Sequence, residues 1–204
     1  VDVVMQSGHI LKITNQVEVL GKGTLTFENN AFENNASLVQ INDYAVNSGK
    51  ITYNREVTGI KAKDYVYWSS PVGGQKLADF SSTTKYLWNA TVNNWKVPTK
   101  ADMKIGQGYI IRRMEAGNFT KTFTGTPNNG IKEISIGDKD SFNLIGNPYP
   151  SAIDADKFIL YNSKKDVNDG SDEVLGGTIY FWTHITAITL RDKLPEGTAG
   201  SGDL

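Results

Sequence analysis

Five short β-branched stretches recur near the start of the chain at almost even intervals, each bounded by Gly, Asn or Asp. They are Ile10-Leu11-Lys12-Ile13, Val17-Glu18-Val19, Thr24-Leu25-Thr26-Phe27, Ser37-Leu38-Val39-Gln40-Ile41 and Lys50-Ile51-Thr52-Tyr53. Apolar and polar residues alternate within them, the two-residue period of a strand with one buried face. The anchors Leu11, Leu25, Leu38 and Ile51 lie 14, 13 and 13 residues apart. Strands so short and so evenly placed predict stacked solenoid rungs or an even-spaced antiparallel meander, and the solenoid is the preferred reading. The pairs Asn29-Asn30 and Asn34-Asn35 suit its corners, because Asn tolerates left-handed backbone and bonds to its own turn.

A second region begins near Gly59, with strands expected at Tyr65-Val66-Tyr67-Trp68, Tyr86-Leu87-Trp88, Tyr109-Ile110-Ile111-Arg112-Arg113 and over 119–123, 131–136, 142–145 and 178–183. Aromatics gathered in short strands, with few helices to cover them, fit antiparallel pairing in a sandwich or a broken barrel, of which the sandwich is the preferred reading. One helix is expected over 151–160, with Ser151 as its cap, acidic Asp154 and Asp156 in its first turn, and Ile153, Phe158 and Ile159 on one stripe. Pro148 and Pro150 should stiffen the turn before it, Tyr149 should pack against an aromatic neighbour, and the Tyr149–Pro150 bond is a candidate for cis geometry. The expected fold is therefore mainly β. A short repeat-like region, solenoid or meander, occupies 1–58, an antiparallel β-sandwich with one short helix occupies 59–190, and a flexible tail occupies 191–204.

Charge is balanced at 21 basic against 22 acidic residues, so no long-range field draws the chain to nucleic acid or to an anionic membrane. No apolar run reaches the roughly 20 residues of a membrane-spanning helix, so no membrane insertion is expected. With no Cys among 204 residues, thiol chemistry and cysteinyl metal sites are ruled out, and a chain of this length can bury its core without disulfides. The start lacks the basic-then-apolar layout of a signal peptide, and the chain reads as a mature or excised piece of a longer protein.

The block Asn143-Leu144-Ile145-Gly146-Asn147-Pro148-Tyr149-Pro150-Ser151-Ala152-Ile153-Asp154-Ala155-Asp156-Lys157-Phe158-Ile159, with Gly177-Thr178-Ile179-Tyr180-Phe181-Trp182-Thr183-His184 beyond it, resembles a module of large secreted surface proteins of Bacteroidota. The resemblance extends upstream through Tyr67-Trp68-Ser69-Ser70-Pro71-Val72, Trp88-Asn89, Met103, Gly106-Gln107-Gly108-Tyr109-Ile110 and Phe123-Thr124-Gly125-Thr126-Pro127-Asn128-Asn129-Gly130, about 59–184 in all. Proteins of that kind commonly leave the cell through the type IX secretion system. The resemblance implies a secreted or cell-surface location, often adhesin-like work, and no transferable catalytic residues. The Asn-rich strands at the start are similar to what often precedes this module.

Residues that could carry chemistry are scattered. Asp64, Asp154, Asp156 and Glu173 are candidate carboxylates for glycoside hydrolysis, but Asp154 and Asp156 lie two apart on a helix and point in different directions. Only His9 and His184 could act as histidine bases, and no Gly-x-Ser-x-Gly occurs. For sugar rings, Tyr67, Trp68, Trp88 and Trp95 offer flat faces and Asn89, Asn93 and Asn94 offer amides, with Trp88, Asn93, Asn94 and Trp95 as the candidate ligand-binding set. Trp68 and Trp182 read as packed. Arg112 and Arg113 fall on opposite faces, so one is expected to pair with a carboxylate. Asp166, Asn168, Asp169 and Asp172 form the candidate metal set, oxygen ligands at a Gly turn that would suit weak calcium, although the register departs by one residue from the usual calcium loop.

These features point to a non-catalytic structural or adhesive module of a secreted bacterial cell-surface protein, with no required cofactor. A carbohydrate-binding module of a polysaccharide-degrading system is the alternative. Expected partners are neighbouring domains of the same longer protein and surface polysaccharide or secretion machinery. For the acidic loop, a Kd of about 0.1 mM would let about 1 mM calcium stabilise the fold by roughly 1.4 kcal/mol. Calcium should therefore raise the thermal midpoint, and Asp166→Ala with Asp172→Ala should remove the rise. Equal midpoints in chelator and in calcium would mark a merely solvated loop.

Overall fold

Strands β1 (Asp2–Met5), β2 (Ile10–Ile13), β3 (Thr24–Phe27), β4 (Ser37–Gln40) and β5 (Ile51–Val57) follow one another along the chain. In the computed structural model, which describes residues 1–30, 35–137, 141–163, 175 and 178–181, β1, β3 and β5 are parallel neighbours in one sheet. β2 and β4 are parallel neighbours in another. A third side is marked by the parallel bridge Glu18–Ser48, where Val19 N donates to Ser48 O at 3.1 Å and Ser48 N to Val17 O at 2.9 Å. A meander would join successive strands antiparallel. The N-terminal region is instead a three-sided solenoid.

Its register explains the sequence spacing. Met5 lies beside Phe27 and Phe27 beside Tyr53, steps of 22 and 26 residues, and Leu11 lies beside Leu38, a step of 27. The 13–14-residue interval is thus the advance from one side to the next, with Leu11 and Leu38 on one side and Leu25 and Ile51 on another. Residues 17–19 form only the single bridge, because the turn at Gly21, with φ of 60°, follows at once.

Beyond the solenoid, β6 (Tyr65–Trp68), β7 (Lys85–Asn89), β8 (Asn94–Lys96) and β9 (Tyr109–Arg112) form an antiparallel sheet in the order β6-β9-β7-β8. The next strand, β10 (Phe119–Gly125), returns to the first sheet and pairs antiparallel with β5 along all seven residues, Phe123 facing Tyr53 and Gly125 facing Ile51. The first sheet therefore runs without a break across residue 58. Trp68 joins the two sheets: its ring lies 5.8 Å from Phe80, 6.2 Å from Phe119 and 5.7 Å from Phe123. Phe27, Ile51, Tyr53, Trp68, Phe80 and Phe123 belong to one continuous buried cluster. The architecture is mainly β, with parallel rungs leading into an antiparallel, sandwich-like arrangement.

Several local expectations fail for identifiable reasons. Residues 131–136 form no strand and 142–145 only the bridge Gln107–Ile145. Their apolar side chains fill spaces left by glycines instead, Ile134 under Gly106 and Leu144 under Gly108, where an added Cβ would lie 2.3 and 2.6 Å away. The helix α1 (Ala155–Asn162) starts later than expected and is capped by Asp154, whose Oδ1 accepts from Lys157 N at 3.0 Å. Ser151 is held elsewhere, its carbonyl accepting from the Asn147 amide. Residues 178–181 are not strand, Tyr180 and Phe181 are exposed, and 182–183 and the tail 191–204 lie outside the described residues. No peptide bond among the described residues is cis.

The seam between β5 and β10 leaves no room at Gly125, where an added Cβ would meet Gly73 O at 2.2 Å. Overpacking against a backbone atom costs about 1–3 kcal/mol. Gly125→Ala should lower stability by that amount in urea denaturation, whereas Thr124→Ala, on the exposed face, should stay within about 0.5 kcal/mol.

Candidate functional site

Trp88 and Trp95 face each other across the β7–β8 hairpin, ring centroids 5.1 Å apart and nearly perpendicular. Trp95 also meets Tyr67 edge-on at 6.5 Å, and Trp88 Nε1 donates to Phe142 O at 2.9 Å. Both indoles are half-buried and engaged with neighbours, so the hairpin holds them as a packed pair. Asn93 sits in the loop with φ of 48°, the left-handed conformation that Asn tolerates, and Asn94 Oδ1 accepts from Trp95 N at 2.7 Å. Asn89 Oδ1 accepts from Thr91 N at 3.2 Å. The four candidate residues are adjacent, and all of them, Trp88, Asn93, Asn94 and Trp95, help to shape the hairpin.

A larger constellation lies where the solenoid meets the sandwich. Residues 126–130 and 147–151 close the last rung on the sides that β10 does not reach. Pro150 O accepts from Leu38 N at 2.8 Å and so extends the β4 edge, while Thr126 Oγ1 donates to Gly49 O at 2.9 Å. Asn47 Nδ2 donates to Pro127 O at 2.9 Å, and Asn47 Oδ1 accepts from Val17 N at 2.8 Å. Asn129 Nδ2 donates to Asn42 O and Ala45 O at 2.9 and 3.0 Å. Asn128 Nδ2 donates to Pro148 O at 2.8 Å, which ties the two segments together.

Tyr149 meets the closure through its hydroxyl rather than through an aromatic neighbour, donating to Gly130 O at 2.7 Å. Burial, with a smaller push from Asp43, raises its pKa and keeps it a phenol donor. Gly130, at φ of 73°, lets the chain pass so near Asp43 O that a Cβ would sit 2.3 Å from it. Pro148 and Pro150 are both buried.

Beside this closure lies an open cleft of about 320 Å³, lined by Tyr53, Arg55, Tyr67, Ser69, Asn147 and Tyr149 among others. Arg55 Nη1 donates to Asn35 Oδ1, which holds the guanidinium at the cleft. Burial pushes the Tyr53 phenol up in pKa, against a smaller opposing pull from Arg55. No carboxylate lines the cleft among the described residues, so its polar character is that of a cation, phenols and amides. Tyr67, one of the aromatics considered for a sugar ring, lies in this lining. Arg55 was not singled out, although its place two residues after buried Tyr53 in an alternating strand marks a charge turned inward.

The carboxylates stay apart in role. Asp64 is buried and its Oδ2 accepts from Lys61 N at 2.9 Å, fixing the turn that contains left-handed Lys63. Asp154 caps α1, and its pKa is lowered chiefly by the Lys157 N–H that it accepts. Arg113 pairs with Glu115 at 3.2 Å, and Arg112 lies over the Tyr65 ring at 5.7 Å. Among the described residues no group of three or more His, Cys, Asp or Glu could hold a metal ion, and no helix is long and apolar enough to cross a membrane. Asp166, Asn168, Asp169, Asp172, Glu173, Trp182 and His184 lie outside the described residues.

The chain matches the model of a family described as a domain of unknown function, DUF8693, over residues 1–195. It belongs to that family. The match covers solenoid and sandwich together, so the DUF8693 unit includes the closure between them. No curated protein and no solved structure matches the chain.

Asn47 is the amide on which the closure turns, since it satisfies Val17 N–H and Pro127 C=O at once. Leaving such groups unpaired costs about 1–3 kcal/mol each. Asn47→Ala should therefore destabilise the fold by at least about 2 kcal/mol in chemical denaturation, while Asn93→Gly should change it by less than about 0.5 kcal/mol because the loop already requires positive φ.

Proposed function

We propose that this DUF8693 chain is a non-catalytic structural or adhesive module of a secreted bacterial cell-surface protein, exported by the type IX route. Its work is to terminate a β-solenoid and to hold that solenoid at the surface. The observation that supports this reading is the closure of the last rung. Parallel solenoids need an end unit that satisfies their exposed backbone edges. Here β10, Pro150 and the Asn129 amide provide one from the segments that carry the resemblance to surface modules, and the solenoid's own Asn47 donates to Pro127 O.

A second reading, carbohydrate binding, draws on the cleft rather than on the Trp88–Trp95 hairpin. Phenol faces beside a fixed guanidinium and amides suit a sugar that carries a negative group. On this reading Arg55→Met should abolish retention on acidic glycans without affecting the fold, and equal retention of both proteins would remove the cleft from consideration.

The leading reading is tested on intact cells of the organism that encodes the chain. An antibody to the chain should label them without permeabilisation, and external protease should erase the signal. Labelling only after lysis would contradict a surface location.

A further inference from the structure

We propose that the end of the solenoid carrying β1 and β2 is a docking surface for one further rung, supplied by chain on the N-terminal side of Val1 and running round the axis in the same sense. The inference stands on the backbone of that end and does not depend on the surface-protein reading. Thr24 N donates to Val1 O at 3.3 Å and Glu28 N to Met5 O at 2.8 Å. Along a strand the N–H and C=O groups of successive residues point alternately to either side. Val1, Val3 and Met5 therefore face β3, and Asp2 and Val4 turn their backbone groups away from it. On the second side Ser37 N donates to His9 O at 3.0 Å and Ile41 N to Ile13 O at 3.1 Å, so Ile10 and Lys12 are the residues turned outward. β1 is the edge of its sheet, and β2 pairs only with β4 among the described residues.

Burial falls off toward this end. Along one inner row Ile51 is 0% exposed, Leu25 is half-buried and Val3 is 43% exposed. Val4 and Ile10 are exposed as well. Soluble proteins blunt free edges with proline, bulges or inward charges. β1 and β2 contain no proline, their charged residues Asp2 and Lys12 stand on the outer face, and their inward positions Val3, Met5, Leu11 and Ile13 are all apolar. The opposite end is sealed on three sides, so among the described residues the open edge lies at the β1–β2 end.

The occupant follows from the order of the sides. A rung of the same sense meets β1, β2 and residues 17–19 in their own cyclic order and continues each parallel ladder. A second copy placed by a two-fold axis runs round in the reverse order, so only one of the three sides meets its counterpart. Val1 also occupies the position that Gly23 holds one rung later, the corner at which a preceding turn would join.

The test joins a copy of residues 24–48 to Val1 in the full chain, beside an extension of scrambled sequence, and follows amide hydrogen exchange by NMR. Exchange at Asp2 and Val4 should slow about 100-fold in the first protein only, with Phe123 protected in all of them as the sign of an intact fold. Val3→Lys should cancel the effect in the extended chain, where the lysine would be buried, and leave the melting temperature of the unextended chain unchanged. The copied segment added in trans as a synthetic peptide gives a second route to the same protection. Unchanged exchange at Asp2 and Val4 by both routes would overturn the proposal. So would a dimeric unextended chain that already protects these amides, which would make a second copy the occupant.

Discussion

The hydrogen-bonded seam between β5 and β10 is the constraint from which the rest of the structure follows. A solenoid of so few rungs cannot enclose a core of its own, because each rung buries apolar residues only against its neighbours. β10 supplies the missing neighbour across seven paired residues and brings Phe119 and Phe123 against Trp68. Parallel rungs and antiparallel sandwich thereby share one interior. The pairing also joins residues 51–57 to residues 119–125, on either side of β6 to β9 in the sequence.

Polar side chains do much of the joining, which explains the high asparagine content. Asn47, Asn128 and Asn129 carry both donors and acceptors on short side chains, and each binds backbone groups at the closed end of the solenoid. On the outer face Glu28 accepts from Asn54, and Asn54 accepts from Thr122, a polar ladder across β3, β5 and β10. Buried backbone groups without partners would be expensive, and a neutral amide satisfies them without the desolvation cost of a charge.

Much of this was legible in the sequence. The five N-terminal stretches and the aromatic strands have the two-residue period, and four of the first group and all of Tyr65–Trp68, Lys85–Asn89 and Tyr109–Arg112 are strands. The even spacing named a solenoid but not its rung, because Leu11 and Leu25 look alike in sequence whichever side they occupy. Ile134 and Leu144 misled because an apolar residue filling the space beside a glycine has the same composition as one in a strand. Ser151 misled as a cap because Asn147 binds its carbonyl and displaces the start of the helix to Asp154. At the site, Trp88 and Trp95, named together only as ligand-binding candidates, lie against each other across one hairpin. The closure itself was invisible, since its bonds run between residues as distant as Asn47 and Pro127.

The central claim is that solenoid and sandwich are one cooperative unit joined through β5 and β10. Scanning calorimetry of the whole chain tests it most directly, by comparing the measured enthalpy of unfolding with that implied by the sharpness of the transition. The account predicts a single transition in which the two enthalpies agree. Two resolved transitions, with the first 58 residues melting apart from the rest, would contradict it.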